Sequence, residues 1–162
     1  MSSYPPRPAA AYGHEQMCAL LTAGARVTGT LGAAAAAHAL TFTALPGRKD
    51  FGRHVEIAMA EVDGSPVTCA WVRDWDVLLA DRDLYLTGGE RRVLEVAASY
   101  AAGRPVNLKE NGCGLGTAYA RRLIETVITG AGMTGYYQLT GTAQLDELEA
   151  RRRELTGEEG PR

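Results

Sequence analysis

The stretch at residues 111–117, N-G-C-G-L-G-T, places three glycines and a cysteine directly before a segment with helical periodicity. Exposed amides at a helix N-terminus attract phosphate, and glycine lets the backbone approach an anion closely. The residues that would form such an anion cradle are Asn111, Gly112, Gly114, Gly116 and Thr117. Neither standard nucleotide fingerprint, G-x-G-x-x-G or G-x-x-x-x-G-K-[ST], is present. We therefore predict that these glycines serve mainly to shape the chain, and that the protein has no cofactor.

Cys113 lies in the same stretch, and a helix N-terminus lowers the pKa of a thiol. A catalytic cysteine also needs a base, and the three histidines, His14, His38 and His54, all lie in the first third of the chain. No spacing links one of them to Cys113. We predict no catalytic residue.

Two groupings have residue types that bind metals. His14 and Cys18 are four residues apart on a predicted helix, but no further ligand follows at a supporting spacing. The four aspartates between residues 74 and 83 lack the alternating pattern of a calcium loop. We predict no metal site, and a solvated turn at 74–83.

Arginines cluster at residues 91–92, 121–122 and 151–153. Two helices at 90–102 and 117–129 would form a DNA-binding pair, but a helix-turn-helix joins its helices by a turn of three or four residues. Acidic residues accompany every cluster, and the formal net charge is −2. We therefore do not expect nucleic acid to be a partner. A helical nucleic-acid-binding regulator is kept as the second alternative function.

The string GCGLGTAYARRLIE, residues 112–125, resembles the acyl-CoA-binding segment of the GNAT family of N-acetyltransferases. In that family a Q/R-x-x-G-x-G/A string opens a long helix whose amides hold a pyrophosphate. Gly114 and Gly116 match the two glycines, while Asn111 stands where Gln or Arg is usual. AEVDGSPVTCAWV, residues 60–72, also resembles the central hairpin of that family.

The resemblance implies an acyl-CoA-dependent N-acyltransferase that uses the glycine loop 111–116. It also implies a strand at 104–110 that leads into this loop. An irregular connector at 104–110 would count against it.

The elements that position these residues belong to a small α+β domain. The chain has 162 residues, of which 46% are hydrophobic, and this suits one domain. We predict a flexible N-terminal segment at 1–12, a globular domain at 13–140, and a charged helix with a disordered tail at 141–162.

Composition also bears on location. Three widely spaced cysteines favour free thiols in a reducing cytoplasm. The N-terminus does not have the pattern of a secretory signal, and the most apolar segment, residues 31–45, is too short to span a bilayer. We expect a cytoplasmic protein with no membrane contact.

The strongest β signal is a hairpin over about 54–62 and 66–73, where apolar residues alternate on both sides of Asp63-Gly64. Two amphipathic helices, at about 88–102 and 116–130, are expected to cover this small antiparallel sheet. Thr87 and Glu90 form a capping box before the first of them.

Three other segments are less distinctive. An N-terminal helix is expected to end at Gly24. Residues 33–45 fit either a helix or a strand. The string YYQLT, residues 136–140, is expected to add one short strand.

The C-terminal segment has acids first and arginines last, an order that suits a helix dipole. We expect it to be an exposed helix that docks a partner. The residues expected to make this contact are Leu145, Leu148, Arg152 and Leu155. The first functional prediction is therefore a non-catalytic binding or adaptor module, acting on an unknown protein partner or by self-association.

Overall fold

The structure is a computed structural model that describes residues 7–156 of the chain. Within that range the fold is α+β, as predicted, with eight α-helices and one two-stranded antiparallel sheet. The strands are β1 (Val55–Val62) and β2 (Ser65–Val72). The helices are α1 (His14–Thr28), α2 (Leu31–Leu40), α3 (Lys49–Gly52), α4 (Trp75–Ala80), α5 (Gly88–Ala102), α6 (Leu108–Gly112), α7 (Thr117–Gly130) and α8 (Ala143–Thr156). Ala9–Ala11 and Leu45–Gly47 are single 3-10 turns.

The predicted hairpin is confirmed. Val62 pairs with Ser65, so the connection has two residues, Asp63 and Gly64. Both have positive φ, 50° and 75°, which is the backbone of a type I′ turn. Glycine accepts this conformation without a Cβ clash, and aspartate is among the few other residues that tolerate it.

Helix α1 lies along β2 and supplies most of the cover of the hairpin. We expected the two later helices to supply this cover, and α5 contributes to it through Leu94. The predicted end of α1 at Gly24 is wrong, because the helix continues to Thr28 and ends at Gly29, whose φ is 70°. Gly24 instead allows close packing: a Cβ there would lie 2.0 Å from the carbonyl oxygen of Ala70.

The core has two parts. The larger lies between α1, the hairpin and the segments on either side of the hairpin. Its buried members are Met17, Leu21, Leu40, Leu45, Phe51, Val55, Ala70, Val72, Leu78, Leu84 and Leu94. The smaller joins α2 to α5 through Ala36, Ala39, Val93 and Ala97. Burying these side chains is the main favourable term in folding.

Helix α5 begins and ends where the sequence indicates. The Thr87 hydroxyl accepts a hydrogen bond from the Glu90 amide at 3.2 Å, and the Glu90 carboxylate accepts one from the Thr87 amide at 3.0 Å. This is the predicted capping box. Gly103 ends the helix with a φ of 67°.

The structure decides one expectation that the sequence left open and corrects two others. Residues 33–45 begin as helix, since α2 runs to Leu40 and turns follow. Residues 136–140 form no strand; they continue from a turn into an irregular connection before α8. All of these residues except the half-buried Leu139 are exposed, so the segment lacks the buried face that holds a strand against a core. The segment at 74–83 is not only a turn, because Asp74 caps the short helix α4 through its bonds to the Asp76 and Val77 amides.

Parts of both terminal predictions fall outside the described residues. This holds for residues 1–6 of the predicted flexible segment and for the predicted tail after residue 156. Within residues 7–156, no helix combines the length and the apolar character needed to cross a membrane.

Candidate functional site

The glycine stretch connects α6 to α7. Asn111 is buried, and its side-chain amide donates to the Asn107 carbonyl at 3.1 Å within its own short helix. Gly114 has a φ of 70°, and Gly116 is the N-cap residue of α7. Gly114 and Gly116 therefore shape the turn that starts α7, and the buried amide of Asn111 is engaged with its own helix. That the turn holds no anion stays a prediction.

The same turn lines a cleft of about 400 Å³. Gly114, Leu115 and Gly116 form one wall, and the start of α5 at residues 87–89 forms the other. Arg92 lies in the cleft and donates to the Cys113 carbonyl at 2.6 Å. The carboxylate of the Thr87–Glu90 capping box already occupies the start of α5, so the positive end of that helix has an anionic partner within the chain.

The strand that the N-acetyltransferase resemblance implies is absent from the structure. Residues 103–107 are irregular, and α6 begins at Leu108. Residues 104–110 therefore form a connector with one turn of helix rather than a strand inside the sheet.

Cys113 is exposed at the start of this turn. None of the three histidines forms a hydrogen bond with its thiol in the described part of the chain, because each has another partner. His14 contacts the Thr43 carbonyl at 2.8 Å, His54 contacts Asp81 at 2.6 Å, and His38 contacts Arg122 at 2.8 Å. The structure thus brings none of these three histidines to Cys113.

His14 and Cys18 lie side by side on α1, with 3.8 Å between the thiol and the ring. Among residues 7–156, no group of three or more His, Cys, Asp or Glu side chains is placed to hold a metal ion. Burial raises the pKa of the Cys18 thiol, and the nearby Arg122 charge acts against this.

A polar cluster that the sequence analysis missed joins α2 to α7. The Arg122 guanidinium donates to His38 at 2.8 Å and lies 3.4 Å from the Thr41 hydroxyl. Glu125 lies 3.5 Å from Arg122 and accepts from Arg121 at 2.9 Å. The one buried side-chain nitrogen without a hydrogen-bond partner among the described residues is Nε of Arg122. We call His38, Thr41, Arg122 and Glu125 the α2–α7 polar cluster.

In this cluster two basic side chains, His38 and Arg122, are in direct contact. Burial and the Arg122 charge lower the pKa of His38, so the imidazole is neutral near pH 7 and accepts from the guanidinium. Burial also lowers the pKa of Arg122, which nevertheless stays charged at ordinary pH. Burial acts to raise the pKa of Glu125, but the hydrogen bond from Arg121 and the charge of Arg121 lower it overall. The feature of the sequence that indicates such a cluster is His38, a polar residue within a run of alanines.

Arg53, His54 and Asp81 form a second charged cluster. One Asp81 oxygen contacts both His54 and Arg53 at 2.6 Å. The hydrogen bond from His54 is the main reason that the pKa of Asp81 falls to about 2. This cluster ties the start of β1 to the segment after α4.

Helix α7 packs on the protein through a mixed side that includes Tyr119, Arg122 and Thr126. Thr126 is its one fully buried residue, and Arg122 is 18% exposed. The apolar residues Ile124 and Val127 are 48% and 43% exposed. Ala120 and Leu123 continue the same stripe at helical spacing. We call Ala120, Leu123, Ile124 and Val127 the α7 outer face.

The predicted docking residues lie on α8. Leu145 is half-buried, while Leu148 and Leu155 are 53% and 88% exposed. The side chain of Arg152 lies outside the described part of the structure. Nothing in the structure tests this edge as an interface, so it stays a prediction.

Of the arginine clusters, Arg121 and Arg122 are paired with Glu125. Arg92 is bonded to the Cys113 carbonyl. The nucleic-acid alternative stays a prediction. Comparison with known family models, with curated proteins and with solved structures finds no match for this chain.

Proposed function

We propose that the protein is a protein–protein interaction module that self-associates through the α7 outer face. The observation that supports this is the exposure of Ile124 and Val127 on a helix whose opposite side is buried. A stripe of apolar residues at i, i+3, i+4 and i+7 is the pattern by which helices dock on one another. Exposed apolar patches of this kind mark interaction sites.

The charges beside this face favour a second copy as the occupant. The α7 outer face itself is uncharged, and one flank carries Arg121 and Glu125, four residues apart. In a two-fold pair of antiparallel helices each flank meets its own copy in reverse order. In a register centred near Leu123, Arg121 of one protomer meets Glu125 of its partner. The surface is thus complementary to itself in both charge and apolar character.

Sedimentation equilibrium tests the proposal. The wild-type chain is expected to form a dimer, and Ile124→Glu or Val127→Glu is expected to give a monomer, because a charge at the centre of an apolar interface has no partner. Leu148→Glu is the matched control, since Leu148 is similarly exposed on α8. It should leave the dimer intact. A wild-type monomer at every concentration would reject self-association.

The same experiment separates the two candidate surfaces. If Leu148→Glu dissociates the dimer while Ile124→Glu does not, the interface is the α8 edge and the α7 proposal is wrong. Both variants replace exposed side chains, so neither should unfold the monomer.

The acyl-CoA alternative has one feature in its favour, the cleft where Arg92 lies beside Gly114 and Gly116. Gly116→Asp tests it without straining the backbone, because φ is −61° there and a Cβ would meet nothing within 4 Å. Aspartate is a good N-cap residue, so the free protein should melt slightly higher. Acetyl-CoA should raise the melting temperature of the wild type and not of this variant. No shift of the wild type at millimolar acetyl-CoA would end the alternative.

A further inference from the structure

A second cleft, of about 220 Å³, lies between α1, α2 and β2. We call it the tryptophan cleft, because both tryptophans of the chain, Trp71 and Trp75, line it. Its floor consists of buried apolar residues, namely Leu21, Ala36, Ala37, Leu40, Ala70 and Val72. Thr28, Thr30 and Ala101 lie at its exposed rim.

The sequence explains why this space is open. Residues 33–37 of α2 are all alanine, and a methyl group is too short to fill the gap between the two helices and the sheet. The walls are held in place by close backbone contacts. A Cβ at Gly24 would lie 2.0 Å from the Ala70 carbonyl oxygen, and one at Gly32 would lie 2.4 Å from the Tyr100 carbonyl oxygen. Helix α1 therefore cannot move closer to β2, nor α2 closer to α5, because these backbones are already in contact.

The lining of the cleft defines the chemistry of a ligand. None of the residues that line it in the described chain is charged. A charged ligand would lose its hydration there without gaining a partner. The half-buried indole of Trp75 packs against the core beside the floor, and an aromatic ring can stack on an indole face. The threonine hydroxyls at the rim can hydrogen-bond one polar atom of the ligand.

The volume limits the size of that ligand. An apolar cavity of about 150 Å³ holds benzene, so about 220 Å³ suits roughly nine non-hydrogen atoms. We propose that the tryptophan cleft binds a neutral bicyclic aromatic molecule of this size. This site is separate from the α7 outer face, and its test does not depend on self-association.

Indole is a suitable probe, because it is neutral, bicyclic and of the required size. In ¹⁵N-labelled protein the side-chain Nε1–H groups of Trp71 and Trp75 give the only two indole resonances of the chain. Titration with unlabelled indole is expected to shift both resonances to saturation, with one dissociation constant. Shifts that stay linear, or no shift up to the solubility of indole, would overturn the proposal.

Two variants test the location. Ala33→Leu places a larger side chain in the cleft and should weaken binding by about tenfold or more. Ala101→Leu does the same from the rim, and it keeps the test open if the first variant fails to fold. The control is Ala102→Leu, an adjacent and equally exposed alanine that does not line the cleft. Equal indole affinity in Ala101→Leu and Ala102→Leu would place the probe elsewhere and reject the site.

1-Octanol tests the ligand class, because it also has nine non-hydrogen atoms but no ring. Stacking on Trp75 predicts that indole binds more tightly than octanol. Tighter binding of octanol would contradict the aromatic class.

Discussion

Helices α5 and α7 have nearly the same length, and both carry an apolar stripe at helical spacing, yet the fold uses them in opposite ways. Helix α5 buries its stripe, with Val93, Leu94 and Val96 at 2% exposure or less. Helix α7 buries Thr126 and most of Arg122, and leaves Ile124 and Val127 about half exposed. An amphipathic pattern therefore predicts that the apolar stripe of a helix will be buried. It does not show whether the core of the same chain or another molecule buries it.

The rotation of α7 has identifiable causes. The Arg122 guanidinium is held by His38 and lies above the ring of Phe42, 5.1 Å from the ring centroid. At the far end of the helix, a Cβ on Gly130 would lie 2.2 Å from the ring of Tyr100, so that side must face α5 closely. With 3.6 residues per turn, the apolar stripe then lies about a quarter turn away from the side of α7 that faces the core.

The largest effect is expected at the core of α5. Leu94→Ala should lower the free energy of unfolding by about 2–5 kcal/mol, because it leaves a cavity at a fully buried site. Ile124→Ala on α7 should change it by less than about 0.5 kcal/mol in dilute protein, since that side chain is already half exposed. Urea unfolding measures both. At high protein concentration Ile124→Ala should become destabilising, because association stabilises the folded state. Equal losses in dilute protein would contradict the contrast between the two helices.

A smaller effect is expected when the α2–α7 polar cluster is broken. Arg122→Ala should cost about 1–3 kcal/mol, because it leaves the half-buried His38 and Thr41 without their donor. It should also raise the pKa of His38, since the Arg122 charge helps to lower it. NMR titration of the imidazole measures this rise. Arg121→Ala is the control, and an equal rise there would show that His38 does not sense Arg122 specifically.

The α2–α7 polar cluster and the cluster of Arg53, His54 and Asp81 should lose their contributions to stability at different pH values. The pKa of His38 in the fold lies below its ordinary value of 6.5, so the unfolded chain takes up that proton first. Its contribution to stability should therefore decline as pH falls below about 6.5. The pKa of Asp81 is lowered from 3.8 to about 2, so its contribution should persist until pH falls through that range.

Unfolding measured from pH 7 to pH 2 tests this difference. His38→Gln should flatten the curve just below about pH 6.5, and Asp81→Asn should flatten it below about pH 4. If His38→Gln leaves the slope near pH 6 unchanged, the assignment to His38 is wrong.

The smallest effect concerns the charged flank of α7. Arg121→Glu should weaken self-association by roughly two- to tenfold, because exposed ion pairs each contribute about 0.2–1 kcal/mol. Raising the salt concentration should reduce the difference from wild type. Arg73→Glu makes the same change of charge at an exposed residue directly after β2 and is the control. A stronger dimer in Arg121→Glu would contradict the antiparallel register.

The sequence predicts those parts of the fold that local chemistry determines. Asp63-Gly64 specifies the hairpin turn, and the Thr87–Glu90 box with Gly103 specifies both ends of α5. The predicted helix end at Gly24 is wrong because a glycine that stops a helix and one that allows close packing look the same in sequence. The α2–α7 polar cluster could not be predicted, since His38 and Arg122 are 84 residues apart and meet only after both helices have packed.

The most direct test of the account is whether the α7 outer face meets its own copy. Isotope-filtered NMR on an equal mixture of labelled and unlabelled chains detects contacts between protomers only. We predict contacts from the methyl groups of Ile124 and Val127 to α7 of the partner. Contacts confined to Leu145, Leu148 and Leu155, or none at all at millimolar protein, would contradict it.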